Sequence, residues 1–225
     1  MKHETYVLVR RGSAIKRAID MVVAALMLTL CMPMLGMAAL LIKLDSEGPI
    51  LFRQMRMGRD FRPFSLLKLR TMKSGADGPI YTLGDDPRIS RVGAWLRWLK
   101  IDEFPQFWNV LRGDMSLVGP RPVVPELVAE FAEDYARLLQ VRPGLTDPAT
   151  AKYCREAEML AKAADPMDYF KSVVTPDKLR LSAEYLERAT LWSDLGVLAR
   201  TALALLARNS VRSALLITTE QSVAE

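Results

Sequence analysis

The sequence predicts a predominantly helical α+β fold, in which a re-entrant membrane helix-break-helix precedes a small membrane-associated domain with interfacial amphipathic helices. The first observation is residues 21–42, which run for 22 positions without a charge around a central proline. The second is that the β-like segments are few and short. The third is the spacing of apolar residues from residue 89 onward, which is typical of amphipathic helices.

Residues 21–42 are long enough to cross a bilayer, since a hydrocarbon core of about 30 Å needs roughly 20 apolar residues. Pro33 removes a backbone donor and clashes with the preceding turn, so it predicts a break near residues 29–33. The carbonyl groups freed there need partners, and Thr29 is a candidate to supply one. Basic residues flank the run on both sides, whereas a spanning helix has its lysine and arginine excess on one side. These features favour a helix that enters the membrane, turns at Pro33 and leaves on the same side.

The apolar run also has three other interpretations. A single kinked span stays open, because transmembrane helices tolerate proline. A buried core helix is disfavoured by the length of the uncharged run. A signal peptide is disfavoured because the run exceeds a usual apolar region and lacks a clear cleavage site. We therefore interpret residues 1–45 as an N-terminal segment with a membrane anchor, and residues 46–225 as the membrane-associated domain.

A short β-like run over residues 49–54 and a basic segment over residues 53–73 follow the anchor. The basic segment carries seven cations and one acid, with apolar residues interleaved. Three of its cations are interpreted as contacts for lipid headgroups, since each basic residue near an anionic surface contributes roughly 1 kcal/mol. These are Arg53, Arg56 and Arg59. Residues 74–88 are predicted to form a loop, in which Asp85 and Asp86 start the next helix.

Residues 89–100 have helical spacing, with Val92, Trp95, Leu96 and Leu99 on one stripe. Tryptophan beside basic residues suits a helix lying in the headgroup layer, and an ordinary packed surface helix fits the segment equally well. Further helices are predicted over residues 102–112, where Gly113 ends the helix, and over 124–140, 150–164, 176–191 and 194–217.

Composition limits the chemistry that the chain can perform. The net charge of +5 and the pI near 9.3 favour an anionic partner, which is a phospholipid surface, a nucleic acid or a phosphorylated substrate. Two cysteines, Cys31 and Cys154, form neither a disulfide framework nor a metal-ligand spacing. A single histidine, His3, argues against histidine-based acid–base chemistry and against a zinc site. Any chemistry must therefore use carboxylates, lysines and arginines.

The densest group of such residues lies at 97–106, where Asp102 and Glu103 are adjacent between cations and Pro105. Asp102 has a purely structural interpretation as the N-cap of a helix that begins near Pro105. In a functional interpretation, the two side chains point about 100° apart and perform different tasks. Mg²⁺ is commonly held by one or two carboxylates together with substrate phosphates. Carboxylates among cations favour phosphoryl transfer, in which an aspartate can be the nucleophile.

The order of short motifs is more specific than any one of them. The motifs are Lys16-Arg17-x-x-Asp20, Gly48-Pro49-Ile50-Leu51-Phe52-Arg53-Gln54, Phe64-Ser65-Leu66-Leu67-Lys68-Leu69-Arg70-Thr71-Met72, Asp86-Pro87-Arg88-Ile89, Asp102-Glu103-Phe104-Pro105-Gln106, Asn109-Val110-Leu111-Arg112-Gly113-Asp114-Met115-Ser116, Val118-Gly119-Pro120-Arg121-Pro122 and Arg142-Pro143-Gly144-Leu145-Thr146. Together they closely resemble those of the bacterial sugar transferases, the monotopic phosphoglycosyl transferases. The resemblance is dense from residue 15 to about residue 150.

The resemblance implies an undecaprenyl-phosphate sugar-1-phosphate transferase at the cytoplasmic face of the bacterial inner membrane. Such enzymes move a sugar-1-phosphate from a UDP-sugar to polyprenol (undecaprenyl) phosphate and release UMP. This is the first membrane step of exopolysaccharide, capsule, O-antigen or other glycoconjugate synthesis. They use Mg²⁺ and a ping-pong route through a phosphosugar bound covalently to an aspartate.

By the same resemblance, each functional position has a counterpart in this chain. Asp102 is implied as the nucleophile and as a magnesium ligand, with Glu103 as its catalytic partner. The implied contacts to phosphate or nucleotide are Lys68, Arg97 and Arg121. Pro120 and Pro122 are implied to shape the nucleotide site, and Pro33 to make the re-entrant break.

Two other functions remain open from the residues themselves. One is a membrane-tethered glycosyltransferase that cleaves the glycosidic bond and releases UDP. The other is a non-enzymatic basic membrane adaptor for nucleic acid or acidic proteins, although the sequence contains no recognisable nucleic-acid-binding motif. Neither the sugar nor the oligomeric state, a homo-oligomer included, follows from the sequence.

Overall fold

The computed structural model describes residues 13–73, 75 and 86–223, with the side chains of the last helix described as far as residue 207. The described helices are α1 (Ala14–Asp45), α2 (Arg91–Leu99), α3 (Gln106–Arg112), α4 (Pro125–Glu130), α5 (Ala132–Leu138), α6 (Pro148–Lys152), α7 (Glu156–Ala161), α8 (Pro166–Tyr169), α9 (Thr175–Glu187) and α10 (Leu191–Val223). The described strands are β1 (Leu51–Met57), β2 (Pro63–Leu69), β3 (Ser116–Val118) and β4 (Gly144–Thr146). The predicted mixed fold, mostly helical with little β structure, is confirmed.

Helix α1 is one uninterrupted helix of 32 residues that passes through Pro33. Pro33 therefore does not divide it into two helices, because a proline removes a single backbone donor while the hydrogen bonds on either side continue. The hydroxyl of Thr29 donates to the carbonyl of Ala25 at 2.9 Å, one turn before the carbonyl that Pro33 leaves free. The expectation that Thr29 satisfies the freed carbonyl is wrong.

Among the described residues, α1 is the one helix long and apolar enough to cross a membrane, judged by length and composition. Its best window has a mean hydropathy of 2.2, and most of its apolar side chains are exposed on the protein surface. The exposed apolar residues of α1 include Val22, Leu26, Leu30, Met37 and Leu44. A surface of this kind is suited to lipid rather than water. The re-entrant path of the helix through a bilayer stays a prediction.

The first turns of α1 are fastened to the rest of the chain by buried polar contacts. Asp20 is 2% exposed and accepts a hydrogen bond from the hydroxyl of Ser116 at 2.7 Å. The guanidinium of Arg17 donates to the carbonyls of Val110 at 2.6 Å and Leu111 at 2.9 Å. Arg17 thereby satisfies carbonyl groups at the C-terminal end of α3, where a cation is favoured. This contact explains why a charged motif precedes the apolar run.

The C-terminal end of α1 is held by Arg70, which lies one residue beyond β2 and is 5% exposed. Its guanidinium donates to the carbonyls of Ile42 at 3.4 Å and Ser46 at 2.6 Å, and also to that of Glu47. These carbonyls belong to the last turn of α1 and the residues that follow. Arg70 therefore both caps α1 and fixes β2 against it.

Strands β1 and β2 form an antiparallel hairpin in which Leu51 pairs with Leu69 and Met57 with Pro63. The predicted β-like run over 49–54 thus forms a strand that ends three residues later. The side chains of Phe64 and Leu66 on β2 are buried in the main core, against residues of α3 and β3. The hairpin accordingly packs on α3 through β2.

Several helices are shorter than the sequence predicts, while the last helix is longer. The helix predicted over 124–140 is divided at Phe131, whose backbone is not helical, into α4 and α5. The helix predicted over 150–164 is likewise divided into α6 and α7. Helix α10 begins three residues before the predicted 194 and continues to Val223.

Candidate active site

Helix α2 begins at Arg91 because the hydroxyl of Ser90 accepts a hydrogen bond from the backbone of Gly93 at 3.0 Å. The prediction that Asp86 starts this helix is therefore wrong. The carboxylate of Asp86 instead accepts hydrogen bonds from the backbone and the guanidinium of Arg88, the closest at 2.6 Å. Asp85, the other acid assigned to the helix start, lies outside the described residues.

The acidic pair lies in a 3₁₀ turn, Ile101–Glu103, between α2 and α3. Lys100 ends α2 in the left-handed conformation with a φ of 60°, which turns the chain sharply before this 3₁₀ segment. The residue before α3 is Pro105, and no side chain caps that end. The interpretation of Asp102 as a helix N-cap is therefore wrong.

Glu103 is surrounded by three cations that lie far apart in the sequence. Its Oε1 atom lies 3.3 Å from Nζ of Lys68, 3.1 Å from a guanidinium nitrogen of Arg121 and 3.7 Å from Nζ of Lys100. Burial alone would raise the pKa of Glu103, but these cations outweigh burial and hold its pKa well below the usual value. Glu103 is therefore an anion that fixes the positions of the cations.

Asp102 has the opposite environment, although it is the adjacent residue. It is 6% exposed, and its Oδ1 atom is buried without a hydrogen-bond partner. Burial, followed by repulsion from Glu103, raises the pKa of Asp102, and the nearby charges of Lys68, Lys100 and Arg97 oppose that rise only in part. The two carboxylates thus differ in environment, because cations bind Glu103 whereas Oδ1 of Asp102 has no hydrogen-bond partner.

Arg121 is held by a rigid turn between the two sheets. The carbonyl of Pro120 accepts a hydrogen bond from the backbone of Gly144 at 2.8 Å, and the carbonyl of Pro122 accepts one from Arg56 at 3.3 Å. These bonds fix the backbone on both sides of Arg121. The negative charge of Glu103 raises the pKa of Arg121, which is charged throughout the physiological range.

The turn that holds Arg121 depends on a close approach between the backbones of Gly119 and Gly144. Strands β3 and β4 are parallel, with Ser116 paired to Gly144 and Val118 to Thr146. A Cβ atom on Gly144 would overlap the backbone nitrogen and carbonyl oxygen of Gly119, where no side chain can be placed. Glycine is therefore required at position 144.

Arg56 belongs to the site, which corrects its interpretation as a contact for lipid headgroups. Besides its bond to Pro122, it donates to the side chain of Gln54 at 2.6 Å. Burial, together with the nearby charge of Arg121, lowers the pKa of Arg56 to about 10. Of its two basic neighbours, Arg59 pairs with Asp60 at 3.4 Å, and Arg53 is exposed.

Lys68 is positioned through Asn109, a residue of α3 to which the sequence had assigned no role. Asn109 is 1% exposed; its side-chain oxygen accepts from the backbone of Leu67 at 3.0 Å, and its nitrogen donates to the carbonyl of Ser65 at 2.8 Å. The side chain of Asn109 thus both accepts from and donates to the backbone of β2, as the backbone of a neighbouring strand would. Asn109 therefore fixes β2, and with it Lys68, against the helix that follows the acidic pair.

Of the residues assigned to the site from the sequence, the structure brings together Lys68, Asp102, Glu103 and Arg121. Arg97 acts on Asp102 through its charge, and Pro120 and Pro122 flank Arg121. Pro33 lies inside α1, away from this cluster in the sequence and on another element. Lys100, Arg56 and Asn109 are additions that local patterns did not indicate.

A magnesium ion would find few protein ligands here. Among the described residues, no group of three or more histidine, cysteine, aspartate or glutamate side chains could hold a metal ion. Glu103 is already bound by cations, which leaves Asp102, whose Oδ1 atom has no hydrogen-bond partner. One carboxylate fits a magnesium ion whose shell is completed by substrate phosphates.

The acidic pair thus combines one carboxylate bound by cations with one whose Oδ1 atom has no hydrogen-bond partner. The chain belongs to the bacterial sugar transferase family, whose family model it matches over residues 11–208. It is an enzyme of the phosphoglycosyl transferase class.

Three relatives illustrate the similarity. The UDP-glucose:undecaprenyl-phosphate glucose-1-phosphate transferase of Caulobacter vibrioides is 43% identical over 197 residues, which cover 85% of this chain and 69% of that protein. The undecaprenyl-phosphate glucose phosphotransferase of Komagataeibacter xylinus is 40% identical over 192 residues, 81% of this chain and 34% of that protein. The Escherichia coli protein with the same name as the first is 36% identical over 189 residues, 81% of this chain and 38% of that protein. The chain thus spans only about a third of the length of the last two.

Proposed function

We propose that the protein transfers a sugar-1-phosphate from a UDP-sugar to polyprenol phosphate, releasing UMP, through a covalent phosphosugar intermediate on Asp102. The observation that carries this proposal is the unequal acidic pair. Glu103 is an anion among cations, whereas the buried Oδ1 of Asp102 has no hydrogen-bond partner. A carboxylate that no cation contacts directly keeps an electron pair available for attack on phosphorus. The names of the relatives point to the same classes of donor and acceptor.

In the first step, a carboxylate oxygen of Asp102 forms a bond to the sugar-bearing phosphorus of the UDP-sugar. The bond between that phosphorus and the bridging oxygen of the diphosphate breaks, and UMP leaves with the oxygen and its electron pair. Lys68 and Arg121 neutralise the negative charge that gathers on the phosphate oxygens, and Glu103 holds both cations in position before the substrate arrives.

In the second step, an oxygen of polyprenol phosphate forms a bond to the same phosphorus. The bond to Asp102 breaks and its carboxylate is restored, which leaves the sugar joined to the lipid through a diphosphate. Since the product is a lipid-linked sugar, we place the reaction at the start of exopolysaccharide or another glycoconjugate, at the cytoplasmic face of the bacterial inner membrane. Helix α1 serves as the anchor that keeps the site at the lipid surface.

Mg²⁺ is proposed as the cofactor, with Asp102 as its protein ligand. When bound, it would supply neutralisation of the diphosphate oxygens. Asp102 fits this role because its Oδ1 atom has no hydrogen-bond partner, and the charges of Lys68 and Arg97 act at the same carboxylate.

Incubation of the purified full chain with UDP-glucose or UDP-N-acetylgalactosamine, Mg²⁺ and undecaprenyl phosphate tests the proposal. The expected nucleotide product is UMP, and intact-protein mass spectrometry without the acceptor should show an adduct of one phosphosugar. Asp102→Asn should abolish both. Asp134→Asn is the matched control, because Asp134 is an exposed aspartate on α5, and it should keep activity within about twofold.

Three results would contradict the proposal. Release of UDP instead of UMP would identify a glycosyltransferase that cleaves the glycosidic bond. A fully active Asp102→Asn protein would remove the aspartyl intermediate. Salt-sensitive nucleic-acid binding without consumption of any UDP-sugar would favour the basic membrane adaptor.

A further inference from the structure

An apolar groove of about 440 Å³ lies between the second half of α1 and helix α2. Its volume is in the range of pockets that bind small organic ligands. Its lining is almost wholly apolar and includes Met34, Met37, Leu41, Trp95, Leu99 and Ile101. Arg91 is the one charged residue in this lining. Two methionines make the surface adaptable, because their side chains are unbranched and polarisable.

The groove lies next to the acidic pair along the chain. Ile101, which lines the groove, directly precedes Asp102 in the 3₁₀ turn. Lys68, Lys100 and Arg121 contact Glu103, two residues beyond Ile101, so cations lie near the end of the groove that Ile101 lines. A ligand with an anionic head and a long apolar chain matches this arrangement in both charge and polarity.

The groove also opens toward the surface that the lipid bilayer would cover. Met37 on α1 is 58% exposed and Trp95 on α2 is 65% exposed, so the walls of the groove are accessible from outside. These side chains belong to elements with exposed apolar faces, α1 above all. A lipid chain could therefore enter the groove sideways from the membrane.

We propose that this groove receives the isoprenoid chain of the acceptor lipid next to its phosphate, while the phosphate lies at Asp102. The proposal rests on the proposed function and adds the part of the chain that holds the acceptor. Binding the chain here fixes the phosphate beside the reacting carboxylate and reduces the entropy lost in the second step. The competing occupant is a phospholipid acyl chain, whose binding in the groove would not depend on the acidic pair.

The test compares substitutions at two adjacent leucines of α1. Leu41 lines the groove and is 42% exposed, whereas Leu40 does not line it and is 55% exposed. Leu41→Trp fills part of the groove and should raise the KM for undecaprenyl phosphate by at least about fivefold, which corresponds to roughly 1 kcal/mol. Leu40→Trp should leave that KM within about twofold. Exchange of UMP into the UDP-sugar, which needs no acceptor, normalises each preparation for active protein.

A polyprenyl phosphate with a photoreactive group on its chain provides a readout independent of turnover. Crosslinks are expected on residues 34–41 and 91–101, and undecaprenyl phosphate but not phospholipid should suppress them. Crosslinks elsewhere, suppression by phospholipid alone, or equal KM values for the two leucine variants would overturn the groove assignment. Absence of UMP release and exchange in the wild type would instead refute the proposed function, with the crosslinks still deciding the groove.

Discussion

Replacement of Glu103 by glutamine is the perturbation that best tests the division of roles within the acidic pair. The glutamine side chain would keep the size of the original but would remove the negative charge that Lys68, Arg121 and Lys100 share. Three cations would then repel one another without a central anion. We expect Glu103→Gln to destabilise the folded protein and to disorder the phosphate-binding side of the site.

The magnitude follows from the distances and exposures of the contacts. At 3.3 Å, a single pair of charges is worth about 5 kcal/mol before desolvation is counted, with an effective dielectric constant near 20. Arg121 and Lys100 are each more than a third exposed, so water screens each of their contributions to about 1 kcal/mol or less. Since Glu103 itself is mostly buried, the expected loss is about 3 kcal/mol.

The assay is urea unfolding in detergent micelles, followed by tryptophan fluorescence, for a double-mutant cycle. The variants are Glu103→Gln, Lys68→Met and the two combined, and the expected coupling energy is about 1–3 kcal/mol. A control cycle at Arg180 and Glu184, an exposed pair at 2.5 Å, should give about 0.5 kcal/mol or less. A coupling at Glu103 no larger than that of the control would refute the ion-cluster reasoning.

The lowered pKa of Glu103 predicts how its contribution to the free energy of unfolding depends on pH. Because the folded-state pKa of Glu103 lies well below its ordinary 4.5, its contribution to stability is present above the unfolded pKa and is lost as pH falls through the folded one. The difference in unfolding free energy between wild type and Glu103→Gln should therefore be constant from pH 7 to about 5 and should shrink only in more acidic solution. A difference that shrinks near pH 7 would contradict the lowered pKa.

Two further substitutions test the elements that position the site. Gly144→Ala places a Cβ atom against the backbone of Gly119, so it should cost about 1–3 kcal/mol in urea unfolding and slow UMP release, whereas Gly36→Ala, with open space around it, should not destabilise. Asn109→Ala leaves the backbone amide of Leu67 without its partner and should cost about 1–3 kcal/mol in the same assay, and an unchanged free energy of unfolding would contradict its role.

Local sequence signals are sufficient for the helices on either side of the acidic pair, except that the helix predicted from residue 102 begins at Gln106. Helix α2 was predicted within two residues at each end, because its apolar spacing and its flanking residues agree. Helix α3 ends at Gly113 as expected, since this glycine has a φ of 92° that other residues rarely adopt. The structure differs between these helices, where Asp102 lies in a 3₁₀ turn. The left-handed backbone conformation of Lys100 causes that difference, and no local sequence pattern predicts it.

Contacts between distant residues were beyond local patterns. Lys68 and Arg121 lie 35 and 18 positions from Glu103, and both sheets pack against α3, the helix that follows the acidic pair. Arg53, Arg56 and Arg59 have similar sequence contexts, but among these three only Arg56 contacts Pro122. It does so because the end of β1, at Met57, pairs with Val123, the residue after Pro122. Charge spacing along one strand cannot distinguish these cases. The motifs nevertheless identified most of the site, because the resemblance carries information on tertiary contacts.

The anchor and the acidic pair are joined by a short and stiff connection. Lys68 and Arg70 are two positions apart at the end of β2, where alternate residues share a face. Arg70 binds the carbonyls at the end of α1, while Lys68 reaches Glu103. Under the proposed function, the depth of α1 in the bilayer therefore sets the depth of Asp102 through these contacts. This geometry holds the attacking carboxylate at the level of a lipid phosphate.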